Sequence, residues 1–343
     1  MKIKNETNIG NVCIGGKNSI AIQSMISCHP AQKEKVLNQI HELEDVGCDI
    51  VRIAVPDFEA VEAIPNILKI TKMPVVADIH FNSKLALASI KNGVHKLRMN
   101  PSNIKNVDSI NSVTQLAKQY NVPIRIGVNL GSVRHIQSEN DALEKMKSLI
   151  KREVNLLENQ NFLKIVLSAK CSNPVLNEKI NRWIDKNFTY PIHIGLTEAG
   201  SILPGSIKTA VALKPLLEEG IGNTIRVSLT GELGNEVNAA KYLLQATNRM
   251  DSVIITSCPT CGRCKWDVKK YVSIVEKETA LIRKPYHIAM MGCEVNGPGE
   301  AAEADIGMAG SGKKAVLFCK GLIKKTGTTE EIFSLLMNEI KNI

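Results

Sequence analysis

The sequence predicts an α/β protein: a (β/α)8 TIM-type barrel followed by a small α+β domain. Three observations carry this. From residue 20 to 246 one unit recurs, in which a short β-branched run is followed by a turn and then by an amphipathic helical stretch. Strands alternating with helices build right-handed βαβ units around a parallel sheet. Eight such runs fit between residues 20 and 246, close to the roughly 250 residues of a typical barrel. After "LLQATNRMDSV" the unit stops recurring, and strands open directly into a cluster of cysteines.

In chain order, the strands are expected at "AIQSMI" (21–26), "DIVRIAV" (49–55), "PVVADIH" (74–80) and "HKLRMN" (95–100), then at "PIRIGVN" (123–129), "LKIVLSA" (163–169), "PIHIGLT" (191–197) and "TIRVSLT" (224–230). Between them, stretches such as "QKEKVLNQIHELEDVG" and "DALEKMKSLIKREVNLLENQ" carry apolar residues at helical spacing. An open doubly wound sheet is the runner-up, but it usually places a Gly-rich phosphate loop after its first strand. Here that strand runs into "QSMISCHP", without glycine. The barrel is assigned to residues 1–250 and the second domain to 251–343. The second domain is expected to hold a strand "SVIITSC", a helix over about 265–282, a strand "PYHIAMMG", a Gly-rich loop, a strand "KAVLFCKG" and a final helix over about 328–341. The run "GMAGSGKK" (307–314) nearly fits a P-loop, yet Lys314 stands where the magnesium-binding Ser or Thr belongs and a strand follows. It is read as a turn.

With 44% hydrophobic residues and a mean hydropathy of −0.04, the chain has the make-up of an ordinary globular protein. Aromatics are only 4%, so the core must rest on Ile, Val, Leu, Ala and Met. The start, "MKIKNETNIGNVCIGG", shows neither an apolar h-region nor a small-residue cleavage site. No run approaches the ~20 apolar residues that span a bilayer. A cytoplasmic protein without a membrane partner is expected. The net charge is +9, but Lys is interleaved with Asn, Glu and Ile, and no basic run carries interleaved aromatics. No nucleic-acid partner is expected, and a small anionic substrate accounts for the charge equally well.

Polar residues within the predicted strands sharpen that idea. They fall at the C-terminal ends: Gln23 and Ser24, Arg52, Asp78 and His80, Lys96, Arg98 and Asn100, Arg125 and Asn129, Ser168 and Lys170, His193 and Glu198, Arg226 and Ser228. Barrel active sites sit at that end. Four arginines and two lysines converging on one mouth point to a densely anionic ligand such as a diphosphate.

Nine cysteines in a chain of this kind are better read as ligands, catalysts or small hydrophobes than as a disulfide framework. Scattered ones such as Cys48 pack as small hydrophobes. Cys258, Cys261 and Cys264 form C-x-x-C-x-x-C, and Cys293 follows in "MMGCEVNGPGEAAEADIG". Structural zinc would call for a second C-x-x-C or a His pair. Three thiolates plus one more ligand suit a cubane iron–sulfur cluster better. By spacing alone, the fourth donor is either Cys264 or an oxygen ligand near Cys293 such as Glu300.

"SCPTCGR" followed by "GCEVNGPGEA" closely resembles the family of 4-hydroxy-3-methylbut-2-enyl diphosphate synthases of flavodoxin or ferredoxin type. The resemblance runs nearly end to end, with "QSM", "VRIAVP", "VADIHF", "KLRMNP", "RIGVNLGS", "LTEAG" and "NGPGE" in the family's order. It implies a 4Fe–4S cluster held by Cys258, Cys261, Cys293 and Glu300, with Cys264 a non-ligand. It implies further the reductive ring opening and dehydration of 2-C-methyl-D-erythritol 2,4-cyclodiphosphate, with reduced flavodoxin or ferredoxin as electron donor. Glu300 and Glu198 are then the catalytic carboxylates, Glu198 as general acid. Arg52, Arg98, Arg125, Lys170 and Arg226 are diphosphate contacts, with Asp78, His80, Asn100, Asn129 and His193 completing the substrate site. The family forms a homodimer in which each cluster domain caps the partner's barrel. "QSMISCHP" departs from the family in lacking the threonine that commonly follows QSM. The competing reading is a barrel protein whose second domain is a structural zinc module for binding. A radical enzyme using S-adenosylmethionine is disfavoured, because its C-x3-C-x2-C motif usually lies near the barrel's start.

Overall fold

In the computed structural model the chain opens with a hairpin that its periodicity does not announce. β1 (Thr7–Ile9) and β2 (Val12–Ile14) pair antiparallel. Gly10, the first of two turn residues, has φ +56°, the handedness that lets a two-residue loop follow the strand twist. The structure describes residues 3–80, 82–99, 107–133, 135–293, 301–310 and 312–343, and the chain falls into two units, Met1–Arg249 and Met250–Ile343.

In the first unit eight parallel strands form the barrel: β3 (Ala21–Met25), β4 (Ile50–Ala54), β5 (Val75–Ile79), β6 (Lys96–Met99), β7 (Ile124–Asn129), β8 (Ile165–Lys170), β9 (His193–Ile194) and β10 (Thr224–Ile225). The sheet runs β8-β7-β6-β5-β4-β3-β10-β9, and a parallel bridge between Leu167 and Ile192 joins its two ends. The last two strands are much shorter than their apolar runs suggest. At Gly195 the chain passes so close to the Arg226 carbonyl that a Cβ would lie 2.4 Å from it, and regular pairing stops there.

Helices α1 (Lys33–Asp45), α2 (Phe58–Ile70), α3 (Ser83–Lys91), α4 (Val107–Gln119), α5 (Glu139–Glu158), α6 (Pro174–Asn187), α7 (Ile202–Glu218) and α8 (Leu233–Ala246) connect the strands. Each buries a stripe against the sheet, as α1 does with Val36, Ile40 and Leu43. Asp57, Ser138 and Asn173 accept hydrogen bonds from the first-turn amides of α2, α5 and α6, each cap contributing about 1 kcal/mol. The early hairpin now has its reason. Ile9 and Ile14 pack with Ala21, Ile50, Val76 and Val166, at the starts of four barrel strands. The hairpin is an apolar plug in the bottom of the barrel, leaving the C-terminal end for polar groups.

The second unit is a five-stranded sheet in the order β11 (Val253–Ser257), β12 (Tyr286–Met291), β13 (Ile306–Gly310), β14 (Lys314–Cys319), β15 (Leu322–Thr328). The first three strands are parallel and the rest antiparallel. α9 (Val268–Thr279) and α10 (Thr329–Ile340) share one core with Ile288, Met290, Ile306, Met308 and Leu317. The alternate residues Ala289, Met291, Ala309, Val316 and Phe318 face Ala301 and Ala304 on the other side. β13 and β15 are additions to the expected strands. The segment read as a turn holds most of β13, and its last residue, Lys314, already opens β14. β13 is stabilised from outside, because Phe318 lies over Gly307 where a Cβ would meet its ring at 2.2 Å.

Candidate active site

Strand register decides which polar residues share a level of the barrel. Asp78 is level with Arg98, and Arg98 with Arg125. The Asp78 carboxylate, only 2% exposed, accepts from Arg52 at 3.2 Å and from Arg98 at 3.0 Å, with His80 at 3.5 Å. Burial opposes its ionisation, but the His80 hydrogen bond and the Arg52 and Arg98 charges hold its pKa well below the usual carboxylate range. On the other side of the mouth, Glu236 accepts from Arg226 Nη2 at 3.3 Å, from Ser24 Oγ at 2.8 Å and from the Leu229 amide at 3.0 Å. Arg52 Nε also donates to the Met25 thioether at 3.1 Å.

One level is deeper than expected. Lys96 is the first residue of β6 and is 0% exposed, so it does not belong to the C-terminal rim. Its ammonium donates to Gln23 Oε1 at 3.2 Å. Arg125 Nη1 reaches Ser168 Oγ at 3.5 Å. Lys170 Nζ lies 3.1 Å from His193 Nε2, and His193 Nδ1 lies 2.7 Å from Thr224 Oγ1. A Lys170 ammonium can only donate, which leaves His193 Nε2 as acceptor and puts its ring proton on Nδ1, toward Thr224.

Six cations, Arg52, Lys96, Arg98, Arg125, Lys170 and Arg226, thus meet two buried carboxylates among the described residues. Burial, and then mutual repulsion, pushes Lys96, Arg125 and Lys170 well below their ordinary pKa values, and Arg52 down to about 10. Buried His193 is pushed well down for the same reasons. Among the described residues, Gln23 Nε2 and Arg125 Nε are buried donors without an acceptor. Unpaired buried donors beside excess positive charge create a demand for an anionic acceptor. Two glycines make room for the cations: a Cβ at Gly127 would meet Arg98 Nε at 2.9 Å, and one at Gly195 would meet Lys170 Nζ at 2.4 Å.

Glu198 follows β9 in an exposed turn and has φ +55°, a left-handed backbone that an L side chain holds at a cost. The turn is held by the Thr230 amide on the Gly200 carbonyl at 2.9 Å. Asn129 is half-buried at the end of β7. Asn100 and Glu300 lie outside the described residues.

In the second unit, the Cys258 amide donates to the Met290 carbonyl at 3.1 Å, and the Gly292 amide donates to Cys258 Sγ at 3.0 Å. The Cys264 thiol donates to the Trp266 carbonyl at 3.2 Å. A Cβ at Gly292 would lie 2.7 Å from both Cys258 Sγ and Cys264 Sγ. Cys261 is exposed, and its thiol pKa is lowered, first by the Arg263 backbone hydrogen bond and then by the Arg263 side chain. Cys293 is half-buried beside Gly292, and none of the nine cysteines is in a disulfide. Among the described residues no three His, Cys, Asp or Glu side chains stand as a ready metal-binding group. By contrast Cys48 is buried, its thiol pushed up to about 12 by burial above all.

Glu236 was not a candidate from the sequence. Its signal was there: in α8 the buried positions Leu233, Val237, Ala240 and Leu244 define one face, and Glu236 is an acid on it. Thr224, which orients His193, carried no signal beyond its place in a strand.

Comparison with known proteins bears on both units. The family model described as GcpE TIM-barrel domain matches residues 4–241, and that described as GcpE protein C-terminal domain matches residues 254–342. A protein of Caldanaerobacter subterraneus, named 4-hydroxy-3-methylbut-2-en-1-yl diphosphate synthase (flavodoxin), is 44% identical over 100% of this chain and 98% of its own. Proteins of the same name from Clostridium acetobutylicum and Malacoplasma penetrans are 45% and 42% identical, each over 98% of this chain and over 98% and 92% of their own. Among solved structures, Xanthomonas albilineans dihydropteroate synthase matches with a TM-score of 0.51 at 12% identity, over 71% of this chain and 98% of that one. A 3-dehydroquinate dehydratase of Geobacillus kaustophilus gives 0.51 at 12%, over 72% and 99%. These two share the fold alone.

Proposed function

The chain belongs to the GcpE family, and from that membership we propose that it converts 2-C-methyl-D-erythritol 2,4-cyclodiphosphate to 4-hydroxy-3-methylbut-2-enyl diphosphate by two-electron reductive ring opening and loss of water. The observation that carries the substrate half of this reading is the barrel mouth. Among the described residues, six buried or half-buried cations against two carboxylates, with Gln23 Nε2 and Arg125 Nε unpaired, suit a compact diphosphate. Arg52, Arg98, Arg125, Lys170 and Arg226 clamp the phosphate oxygens. Asp78 and His80 hold Arg98, and His193 holds Lys170. Asn100 and Asn129 complete the substrate site.

The thiols suit the group that the family name implies. Cys258, Cys261 and Cys293 are free and at least partly accessible, and the bare Cα of Gly292 leaves a cradle beside Cys258 into which its amide also donates. Such N–H···S bonds tune iron–sulfur centres. We assign a 4Fe–4S cluster to Cys258, Cys261, Cys293 and Glu300, and treat Cys264 as a non-ligand. When bound, the cluster would supply single electrons and, at the iron held by the weaker carboxylate ligand, a Lewis acid. Glu198 delivers the proton with which the departing hydroxyl leaves as water, and its left-handed backbone supports a functional role for that turn. The electron donor is a reduced flavodoxin, as in the names of the relatives.

We assign the working form as a homodimer. On α7, Leu203, Ile207 and Val211 are 71%, 57% and 63% exposed at i, i+4 and i+8, an apolar stripe that supports a second copy as cover. Among the described residues no helix is long and apolar enough to cross a membrane, and nothing in the comparisons supports the zinc-module alternative.

The test is anaerobic iron and sulfide analysis, EPR of the reduced protein, and turnover of the cyclic diphosphate with reduced flavodoxin. Cys293→Ser and Glu300→Ala should each disrupt the cluster or its EPR signal. Glu198→Gln should keep the cluster and lose turnover. A colourless, iron-free wild type after reconstitution would sink the assignment.

A further inference from the structure

The C-x-x-C-x-x-C run leaves one thiol, Cys264, that the proposed cluster does not use. Its position is specific. It is half-buried against the apolar core of its unit, as Cys258 is, and both sulfurs are 2.7 Å from the point where a side chain at Gly292 would begin. They therefore lie within twice that distance of each other, beside a space that Gly292 keeps open. Cys261, nearer to each of them in sequence, is exposed and is drawn to Arg263.

The approach is built in by separate anchors on one strand end. The Cys258 amide is bound to the Met290 carbonyl, and Cys258 Sγ accepts from the Gly292 amide. On the other side, Cys264 Sγ donates to the Trp266 carbonyl, and the Trp266 indole donates to the Met291 carbonyl at 3.2 Å. The Cys264 amide also closes a turn onto the Cys261 carbonyl at 2.8 Å. Residues 290–292 thus hold both cysteines, and the ordering entropy of bringing two thiols together is already spent in the fold. A cleft of about 320 Å³ lined by Ser257, Cys258, Pro259, Thr260, Val268 and Lys269 gives a small reagent a way to Cys258.

We propose that Cys258 and Cys264 are a dithiol modification site. When iron does not occupy Cys258, a low-molecular-weight disulfide such as oxidised glutathione closes them into an intramolecular disulfide. The Cys258 thiolate attacks one sulfur of the oxidant, forms a mixed disulfide and releases one glutathione. The Cys264 thiolate then attacks the Cys258 sulfur, breaks the mixed S–S bond and releases the second glutathione. Two electrons pass from the cysteine pair to the oxidant, and the two thiol protons end on the two glutathiones released. The product is reducible by a thiol, so it holds a cluster ligand short of the irreversible sulfinic stage. The pairing rests on the anchoring of the two sulfurs and stands apart from the cluster assignment.

The experiment takes the full-length chain, stripped of iron with a chelator, exposes it anaerobically to oxidised glutathione, blocks free thiols and maps the peptides by mass spectrometry. The expected product is a Cys258–Cys264 cross-link that forms equally in Cys261→Ser and is reversed by dithiothreitol. Cys264→Ser should instead retain glutathione on Cys258, and Gly292→Ala, whose Cβ would push the sulfurs aside, should slow closure at least ten-fold. A dominant Cys258–Cys261 cross-link, or glutathione left on Cys258 in the wild type, would overturn the proposal. Loss of iron from reconstituted Cys264→Ser would make Cys264 a cluster ligand and overturn its assignment as a non-ligand, not the pairing. A wild type that binds no iron yet forms the cross-link would overturn the cluster assignment alone.

Discussion

Replacing Asp78 with Asn tests how dry the barrel mouth is. The carboxylate is 2% exposed and bonds Arg52 and Arg98, whose side chains are 14% and 9% exposed. Asparagine keeps the shape and removes the charge, leaving two largely desolvated guanidinium groups beside Arg125 without their anion. Breaking a buried pair in this way costs about 3–5 kcal/mol, whereas an exposed pair is worth about 0–1 kcal/mol. For a unit of this size each kcal/mol moves the midpoint by roughly 2–4 °C, so Asp78→Asn should melt roughly 6–20 °C lower. The chain has two tryptophans, Trp183 in α6 and Trp266 in the second unit. A Trp266→Phe background therefore leaves Trp183 to report on the barrel alone, avoiding a blended two-unit transition. The pH dependence has a definite sign. The folded pKa of Asp78 is depressed, so its contribution is complete above the unfolded value of about 3.9 and is lost as pH falls through the folded value. The gap between wild type and variant should not narrow from pH 8 to 5, the His80 contact only adding to it, and should narrow only below about pH 4. Buried neutral His193 lowers both proteins together as pH falls below about 6.5 and does not alter the gap. A gap under about 1 kcal/mol at pH 7, or one that narrows already at pH 6, would refute the claim that these arginines are desolvated.

Three further outcomes follow from the same geometry. Gly195→Ala sets a Cβ 2.4 Å from the Arg226 carbonyl and from Lys170 Nζ; the backbone cannot swing aside, so about 1–3 kcal/mol of stability should be lost, with kcat/KM falling at least ten-fold. Burial and neighbouring cations depress Lys170, and a bound diphosphate raises its pKa again; titration calorimetry in buffers of different ionisation enthalpy should show net proton uptake on binding, and affinity should weaken as pH rises. No uptake would mean that Lys170 is fully charged in the free protein. Ile14→Ala removes half of the apolar plug and should cost about 2–5 kcal/mol in urea unfolding read by Trp183, while leaving ligand affinity unchanged.

Much of this protein could be read from local pattern. The eight barrel strands were legible because each is a β-branched run between stretches of helical period, and both signals are carried by neighbouring residues. The motif cysteines and the basic residues of the mouth were legible as residue types. The hairpin β1–β2 was not, because two three-residue strands have no stability of their own and exist through Ile9 and Ile14 in the barrel floor. β13 was hidden for a related reason: "IGMAG" has little β-propensity, and Phe318 across the sheet supplies what Gly307 lacks. Glu236 was overlooked because nothing local tells an acid on a buried helix face that Arg226 and Ser24 will meet it.

The sequence by itself determined the fold class, the alternation of strand and helix, and the kinds of side chain available for anion and thiol chemistry. Only the tertiary structure decided their depth and pairing: that Lys96 lies below the rim on Gln23, that Asp78 holds two arginines, and that Cys264 rather than Cys261 shares the space at Gly292 with Cys258. Periodicity is a property of consecutive residues, whereas depth and partnership depend on barrel register and on which distant backbones come close enough to exclude a side chain.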